Sequence, residues 1–256
     1  MMGEQWTGSG LTAVHVAASR EELGLTAARE IAEELRVRLG RQRRVRMVFA
    51  AAPSQSEMLA ALVRQSGIDW PRVEAFHMDE YLDLVEKAPQ RFGLWLKRAI
   101  FDRIDFAAVH LIEPGADPDQ AARNYARLLA EAPIDIVCLG VGMNGHLAFN
   151  DPPADLNDPQ DVKVVELDAL SRRQQVEDGC FQRVEDVPTR ALTLTIPRLL
   201  RANRLFCCVP GPLKAEAVRH TLGDSIGSDW PSTALRLHPS CVLYLDRDSA
   251  AETIAR

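Results

Sequence analysis

The groups able to do chemistry in this 256-residue chain gather where glycines, an imidazole and a carboxylate crowd together. Residues 140–151 read Gly140-Val-Gly142-Met-Asn144-Gly145-His146-Leu-Ala-Phe-Asn150-Asp151, directly after the apolar run at 134–139. Glycines at a strand end let the backbone approach a ligand closely, which makes Gly142 and Gly145 candidate contacts. Ionisable groups just beyond them, His146 and Asp151, would face that ligand. Asp79 and Glu80 follow another apolar stretch, and Lys214 follows a third behind Gly211-Pro212. Arg172 opens a polar segment. Carboxylate and imidazole can pass a proton, and two cations can hold an anion. The simplest chemistry using only these groups is proton shuttling on a phosphorylated small molecule. His110, His220 and His238 lack such neighbours and read as structural.

Other chemistries fit less well. No Cys/His spacing suits zinc, and no serine sits in a G-x-S-x-G elbow. Gly140-Val-Gly142-Met-Asn144-Gly145 satisfies G-x-G-x-x-G, but a dinucleotide site also needs a helix opening at the third glycine. Here Asn150-Asp151-Pro152-Pro153 is turn chemistry instead. Asp161, Glu166 and Asp168 lie near ribose distance, yet no strand and helix of the right order separate them from the glycines.

To bring these groups together, the chain has to deliver several strand ends to one edge. Apolar strand-like runs recur at 12–18, 45–51, 73–78, 110–112, 134–139, 162–167, 191–196, 205–209 and 241–245. Between most of them lie helical patterns. Ser19 is a good N-cap with Glu22 at capping-box spacing, and Leu23, Ala27, Ile31, Leu35 and Leu39 follow at helical intervals. The turn at 53–56 opens a second helix to about residue 65. Its Ser54 or Ser56 could present donors to a phosphate or simply cap that helix. Residues 90–103 and 117–130 read as further helices, and Ser171 and Pro212 open two more. Strands alternating with helices predict an α/β fold, Rossmann-like, with a mostly parallel sheet and helices on both faces. One domain over residues 1–256 is the expected organisation.

Composition narrows the partners. The formal charge is -6 and no long basic block occurs, apart from the cluster at 41–46, read as a solvated loop; no nucleic acid is expected as partner. Five cysteines show no paired framework, and four lie in apolar runs, so buried reduced thiols are expected. No apolar run approaches a membrane span, and the first ten residues carry no apolar signal core. A cytoplasmic protein with no membrane partner is the expectation.

Motifs in order along the chain resemble the glucosamine-6-phosphate deaminases. These are Met78-Asp79-Glu80-Tyr81, the 140–152 loop, Ser171-Arg172, Gly211-Pro-Leu-Lys214-Ala and Trp230-Pro-Ser-Thr-Ala-Leu-Arg-Leu-His-Pro239. The related 6-phosphogluconolactonases share the glycine loop and its histidine, but Phe149-Asn150-Asp151-Pro152 favours the deaminase branch. The resemblance implies conversion of glucosamine 6-phosphate to fructose 6-phosphate and ammonia, with no metal and no redox cofactor. It implies that Asp79 is the base moving a proton from C2 to C1, and that His146 assists ring opening. Asp151 and Asn144 would orient the imidazole. Arg172, Lys214 and donors of the 53–56 turn, Ser54 among them, would hold the phosphate, and Glu80 would lie by the substrate. A lactonase-type hydrolase and a non-catalytic sugar-phosphate sensor are the alternatives. The chain ends soon after its last strand, without the tail of some allosteric hexameric relatives, so a monomer or homodimer is expected.

The chain departs from the family pattern at Asn144, often Asp, and at Asp151, usually Glu. The shorter Asp151 arm predicts a shifted loop or a bridging water. The phosphate turn reads Ala51-Ala52-Pro53-Ser54 where the family has a Gly-Gly-Thr-Pro-like run, which restricts positive φ. Beyond Asp-Glu-Tyr the segment is Ala88-Pro-Gln-Arg91-Phe92, and Arg91 is a candidate replacement contact.

Overall fold

The computed structural model describes residues 10–254. In chain order it begins with β1 (Ala13–Ala17), α1 (Arg20–Leu39), β2 (Val45–Phe49), α2 (Ser56–Val63) and β3 (Val73–His77). Then come β4 (Asp79–Tyr81), α3 (Phe92–Leu96), β5 (Ala108–His110), α4 (Pro118–Ala130) and β6 (Ile136–Leu139). Next are β7 (Val162–Glu166), α5 (Ala169–Glu177), β8 (Arg190–Leu194) and α6 (Ile196–Leu200). The chain finishes with β9 (Arg204–Val209), α7 (Ala215–Gly223), β10 (Cys241–Asp246) and α8 (Ala251–Ile254).

Seven of these strands pair in parallel, in the order β1-β10-β9-β6-β2-β3-β5. Side-chain alternation assigns each strand residue to one of two cores. Val45, Met47, Phe49, Cys138, Phe206 and Cys208 face one way, against Leu23, Ile31 and Leu35 of α1 and Met58 and Leu62 of α2. Val48, Phe76, Val137, Leu139, Leu205 and Cys207 face the other, against Tyr125 and Leu129 of α4 and Val218 of α7. Helices therefore cover both faces, and strands buried on both faces read as continuous apolar runs. Four of the five free cysteines are buried here, with Cys180 partly exposed.

Strand order locates the crevice. From β2 the chain winds outward through β3 to β5; from β6 it winds the opposite way through β9 and β10. The direction reverses between β2 and β6, and open α/β sheets bind ligands beyond the carboxyl ends of strands at such a switch. Those ends carry the 50–55 turn and the glycine loop. The turn is braced from α1: Arg20 donates to the Pro53 carbonyl and at 2.7 Å to Glu57. Ser19 caps α1 by accepting from the Glu22 amide at 3.2 Å, while Glu22 reaches back to the Ala18 amide at 2.8 Å.

Three expectations are corrected. Asp79 and Glu80, expected just past the end of the 73–78 strand of a single mostly parallel sheet, instead form a strand of their own, β4, which joins a second sheet, β4-β8-β7, that is antiparallel. The chain bends at Met78, whose carbonyl accepts from the Leu194 amide at 2.8 Å. The helix expected over 90–103 narrows to α3 and runs into a π-turn, Lys97–Phe101. Arg46 is buried rather than solvated: its guanidinium takes carbonyls at the end of α4, Leu128 at 2.7 Å and Leu129 at 3.1 Å, which a helix C-terminus leaves unpaired.

Candidate active site

The glycine loop is tight. The Gly142 amide donates to the His146 carbonyl at 2.9 Å, and the Gly145 amide to the Gly142 carbonyl at 3.0 Å. An ideal Cβ on Gly142 would fall 2.2–2.4 Å from atoms of the His146 ring, so the imidazole lies on the face of this glycine. Gly145 has φ +78°, and a Cβ there would come within 2.8 Å of the Trp230 ring. The first glycine makes room for the imidazole; the second allows the left-handed turn that aims it.

Three oxygens surround one imidazole nitrogen. His146 Nδ1 lies 2.8 Å from Asn144 Oδ1, 2.8 Å from Ser171 Oγ and 3.2 Å from Asp151 Oδ1. The Asn144 amide nitrogen donates to two carboxylates, Asp151 and Asp168, each at 3.0 Å, so its oxygen is the atom turned to the ring. Ser171 donates its own hydrogen to Asp151. With acceptors on every side, Nδ1 carries the proton, and Nε2 is left as the lone-pair nitrogen for the crevice. Burial would raise the Asp151 carboxyl. Hydrogen bonds from His146, Ser171 and the Asp168 amide outweigh that and hold it well below the usual carboxylate range.

Asp151 thus reaches the imidazole directly, without need of a bridging water. The amide at 144 cannot counter a charge on His146, but the ionised Asp151 beside it can.

Asp79 faces His146 across the crevice; both line it, together with Ser54, Gly142, Gln174 and Gln175. No hydrogen bond occupies the Asp79 carboxyl among the described residues. Burial, then the charge of Glu80, push its pKa well above the ordinary value. Thr193, opposite Asp79 in the β4–β8 ladder, accepts from the Phe149 amide at 3.0 Å. Asn150 ties the same loop to β8 by donating to the Leu147 and Leu194 carbonyls, both at 2.8 Å. The strand that bears Asp79 and the loop that bears His146 therefore share an anchor.

At the other end, Ala52 is extended (φ -152°), so the two alanines are accommodated without positive φ. Gln55 donates to Ser54 and to the Cys208 carbonyl, both at 3.2 Å, while its own side-chain oxygen is buried and unpartnered. Lys214 is buried, and its ammonium has no hydrogen-bond partner among the described residues. Burial lowers its pKa to about 8.

Four candidate contacts, Gly145, Lys214, Glu80 and Arg172, are not among the residues that line the crevice. Glu80 is 1% exposed, and its oxygens accept from the amides of Tyr81, Phe92 and Gly93 at 2.9–3.0 Å. It fastens the start of α3 and does not line the crevice. Arg172 donates to the carbonyls of Val184 and Val187 at 2.7 and 3.0 Å, outside the crevice. The reason is helical phase: α5 starts at Ala169, capped by Asp168, so Ser171, Gln174 and Gln175 turn inward and Arg172 does not. Gln174 accepts from the Met143 amide at 2.8 Å, and Gln175 accepts from the Tyr81 hydroxyl at 2.7 Å. Asp168, Ser171, Gln174 and Gln175 recur at three-to-four-residue spacing. That periodicity was the available signal, and it counts only once the helix start is known.

A family model described as glucosamine-6-phosphate isomerases/6-phosphogluconolactonase matches residues 18–243. The chain belongs to this family. A glucosamine-6-phosphate deaminase of an Exiguobacterium strain is 32% identical over 191 residues, 74% of each chain. One from Bacillus cereus is 30% identical over 190 residues, 74% of this chain and 71% of the relative. Among solved structures, a monomeric glucosamine-6-phosphate deaminase superposes with TM-score 0.86 at 27% identity, covering 93% of this chain and 99% of that one. The 6-phosphogluconolactonase of Thermotoga maritima gives TM-score 0.74 at 18% identity, covering 91% and 98%, a likeness of fold. The α/β fold with its mostly parallel sheet is thus the family's. No described helix is long and apolar enough to cross a membrane.

Proposed function

We propose that this family member is an isomerase/deaminase of an amino-sugar phosphate, with glucosamine 6-phosphate as the first candidate and fructose 6-phosphate and ammonia as products. The observation that carries the reading is the pairing across one crevice of a carboxyl free of hydrogen bonds, Asp79, with an imidazole whose Nε2 is free, His146. The deaminases that are 30–32% identical over most of the chain support it.

In this scheme His146 Nε2 moves a proton at the ring oxygen, opening the sugar to its aldehyde. Asp151 balances the imidazolium formed, with Asn144, Ser171 and Asp168 holding the ring's orientation. Asp79 then takes the proton from C2 while the substrate's own ammonium passes one to O1, leaving an enolamine across C1 and C2, and Asp79 returns its proton to C1. The resulting C2 iminium adds water and releases ammonia. Asp79 has to be ionised to begin and neutral in between, and its buried position favours the neutral form. The crevice has about 60 Å³ of free space, and Gln174 and Gln175 of α5 form part of its wall.

Lys214, with Ser54 and the amides of the 53–55 turn, is assigned to the phosphate, since a buried ammonium without a partner calls for an anion. Lys214→Met is expected to raise KM about 10- to 100-fold, as an ion-paired contact worth about 1.5–3 kcal/mol would. It should also raise the melting temperature of the ligand-free protein. The folded pKa of about 8 lies below the ordinary 10.5, so the penalty of burying the charge builds as pH falls through that window and is full below it. A lower melting temperature for Lys214→Met at neutral pH would remove it from this role.

The function is tested by ammonia release from glucosamine 6-phosphate by the purified chain. Hydrolysis of 6-phosphogluconolactone without ammonia release would replace the reading with the lactonase; tight sugar-phosphate binding without turnover would replace it with the sensor. A monomer or homodimer is the assembly we favour, supported by the likeness to the monomeric deaminase.

A further inference from the structure

Successive strand residues point to opposite sides, so Asp79 leaves β4 toward the crevice and Glu80 away from it. On the Glu80 side lies a cavity of about 570 Å³, within the range of small-molecule sites. It shares no lining residue with the crevice; β4 and the first turn of α3 form the wall between them. Leu84, Leu94 and Leu111 give it an apolar floor; its charged groups are Arg91, Lys87, the buried Glu80, Glu86 and Glu113, beside an Asp83 paired to Arg190 at 3.2 Å.

Arg91 is the informative residue. Its side chain is 14% exposed, yet its nearest partners are distant: Glu80 at 3.6 Å and the Ile112 carbonyl at 3.5 Å. Glu80 cannot come closer, because its oxygens are committed to three backbone amides. The guanidinium is therefore largely desolvated while its N–H fork stays unfilled, the condition in which a planar anion binds well. Lys87 adds a second cation; Glu86 and Glu113 form no ion pair among the described residues. Asp83, on the same loop, is held at φ +63°, a conformation that non-glycine residues adopt mainly where surroundings impose it.

We infer that this cavity is a second ligand site, taking a small molecule with an anionic group for Arg91 and Lys87 and an ammonium for Glu86 and Glu113. A phosphate or a carboxylate can supply the anion. The site does not depend on the reaction proposed above. Its occupant would still be felt at the base, because Glu80 lies between Arg91 and Asp79, and an anion on Arg91 changes the field that Glu80 and Asp79 experience.

The test is calorimetric titration of the full chain with O-phosphoethanolamine, the smallest probe carrying phosphate and ammonium, and separately with γ-aminobutyrate. Inorganic phosphate and ethanolamine are the single-charge controls. Binding is expected in the wild type and in Lys214→Met, weakened about 10-fold or more in Arg91→Gln and several-fold in Lys87→Gln and Glu113→Gln. Tighter binding of phosphoethanolamine marks a phosphate ligand, and tighter binding of γ-aminobutyrate a carboxylate; either supports the site. Loss in Lys214→Met with retention in Arg91→Gln would place the anion in the catalytic crevice and overturn the inference. So would phosphate binding as tightly as phosphoethanolamine, or no binding of either probe to the wild type. Should Arg91→Gln fail to fold, the exposed Lys87→Gln and Glu113→Gln decide: affinities equal to wild type overturn the site.

Discussion

Asp79→Asn is expected to lower kcat by about 10³-fold or more, while sugar-phosphate affinity changes by no more than a few-fold. The amide keeps the shape of the carboxyl and loses only the ability to take the C2 proton. The pH profile is expected to carry the same signature. Because burial and the neighbouring Glu80 raise the pKa of Asp79, the acid limb of kcat/KM should lie well above about 4, where an ordinary carboxylate titrates. Stability should move the opposite way to activity. A group whose folded pKa is raised contributes stability that is complete below its unfolded value and is lost as pH rises through the folded one. Asparagine has no charge to bury, so Asp79→Asn should melt at an equal or higher temperature than wild type at pH about 8, with the difference closing in acid. Stopped-substrate assays and thermal melts on the same two proteins check both halves. Full turnover in the variant would remove Asp79 from the role of base.

Gly142→Ala is the second large effect. The added methyl would sit 2.2–2.4 Å from three atoms of the His146 ring, a distance no packing adjustment of the methyl itself can relieve. The imidazole has to swing away, and in doing so leaves Asn144, Ser171 and Asp151. Displacement of a reacting group by about 1 Å costs on the order of 10²-fold in rate, so kcat should fall by at least that factor, with about 1–3 kcal/mol of stability lost to overpacking. The readout that separates this from general damage is the His146 imidazole nitrogen spectrum. In wild type the Nδ1 proton should be held by its three oxygens; in the variant that signal should vanish or exchange rapidly. A variant that keeps both the signal and the rate would show that the ring does not need this glycine.

How much of this could be read from the chain depended on whether the information was local. The β6 strand and its glycine loop were legible, because an apolar run broken by glycines and followed by His146 and Asp151 is contiguous. The two-faced burial of the main sheet was legible from its unbroken apolar strands. β4 was not. Asp79-Glu80-Tyr81 continues an apolar run without punctuation, and its departure is decided by pairing with β8, more than a hundred residues away. Arg172 lies differently for another reason: charge and motif position point to the phosphate, but the N-cap at Asp168 sets the phase of α5, turning Gln174 and Gln175 inward and Arg172 to the Val184 and Val187 carbonyls. Glu80 looked like a ligand contact because a carboxylate beside another is conspicuous, whereas its three amide partners become visible only after the α3 turn folds back onto it. Lys214 was anticipated as a cation by the strand before it and the Gly211-Pro212 turn, though not its lack of a partner.

Thr193 gives the two reacting groups a common mechanical reference. It stands opposite Asp79 in the small sheet and receives the Phe149 amide from the loop that carries His146. If the small sheet shifts against the large one, the strand bearing the base and the far end of the loop are carried in the same direction. The separation of Asp79 and His146 is in this way tied to the pairing of β4 with β8 and to one hydrogen bond from the loop, rather than to the packing of one sheet on the other.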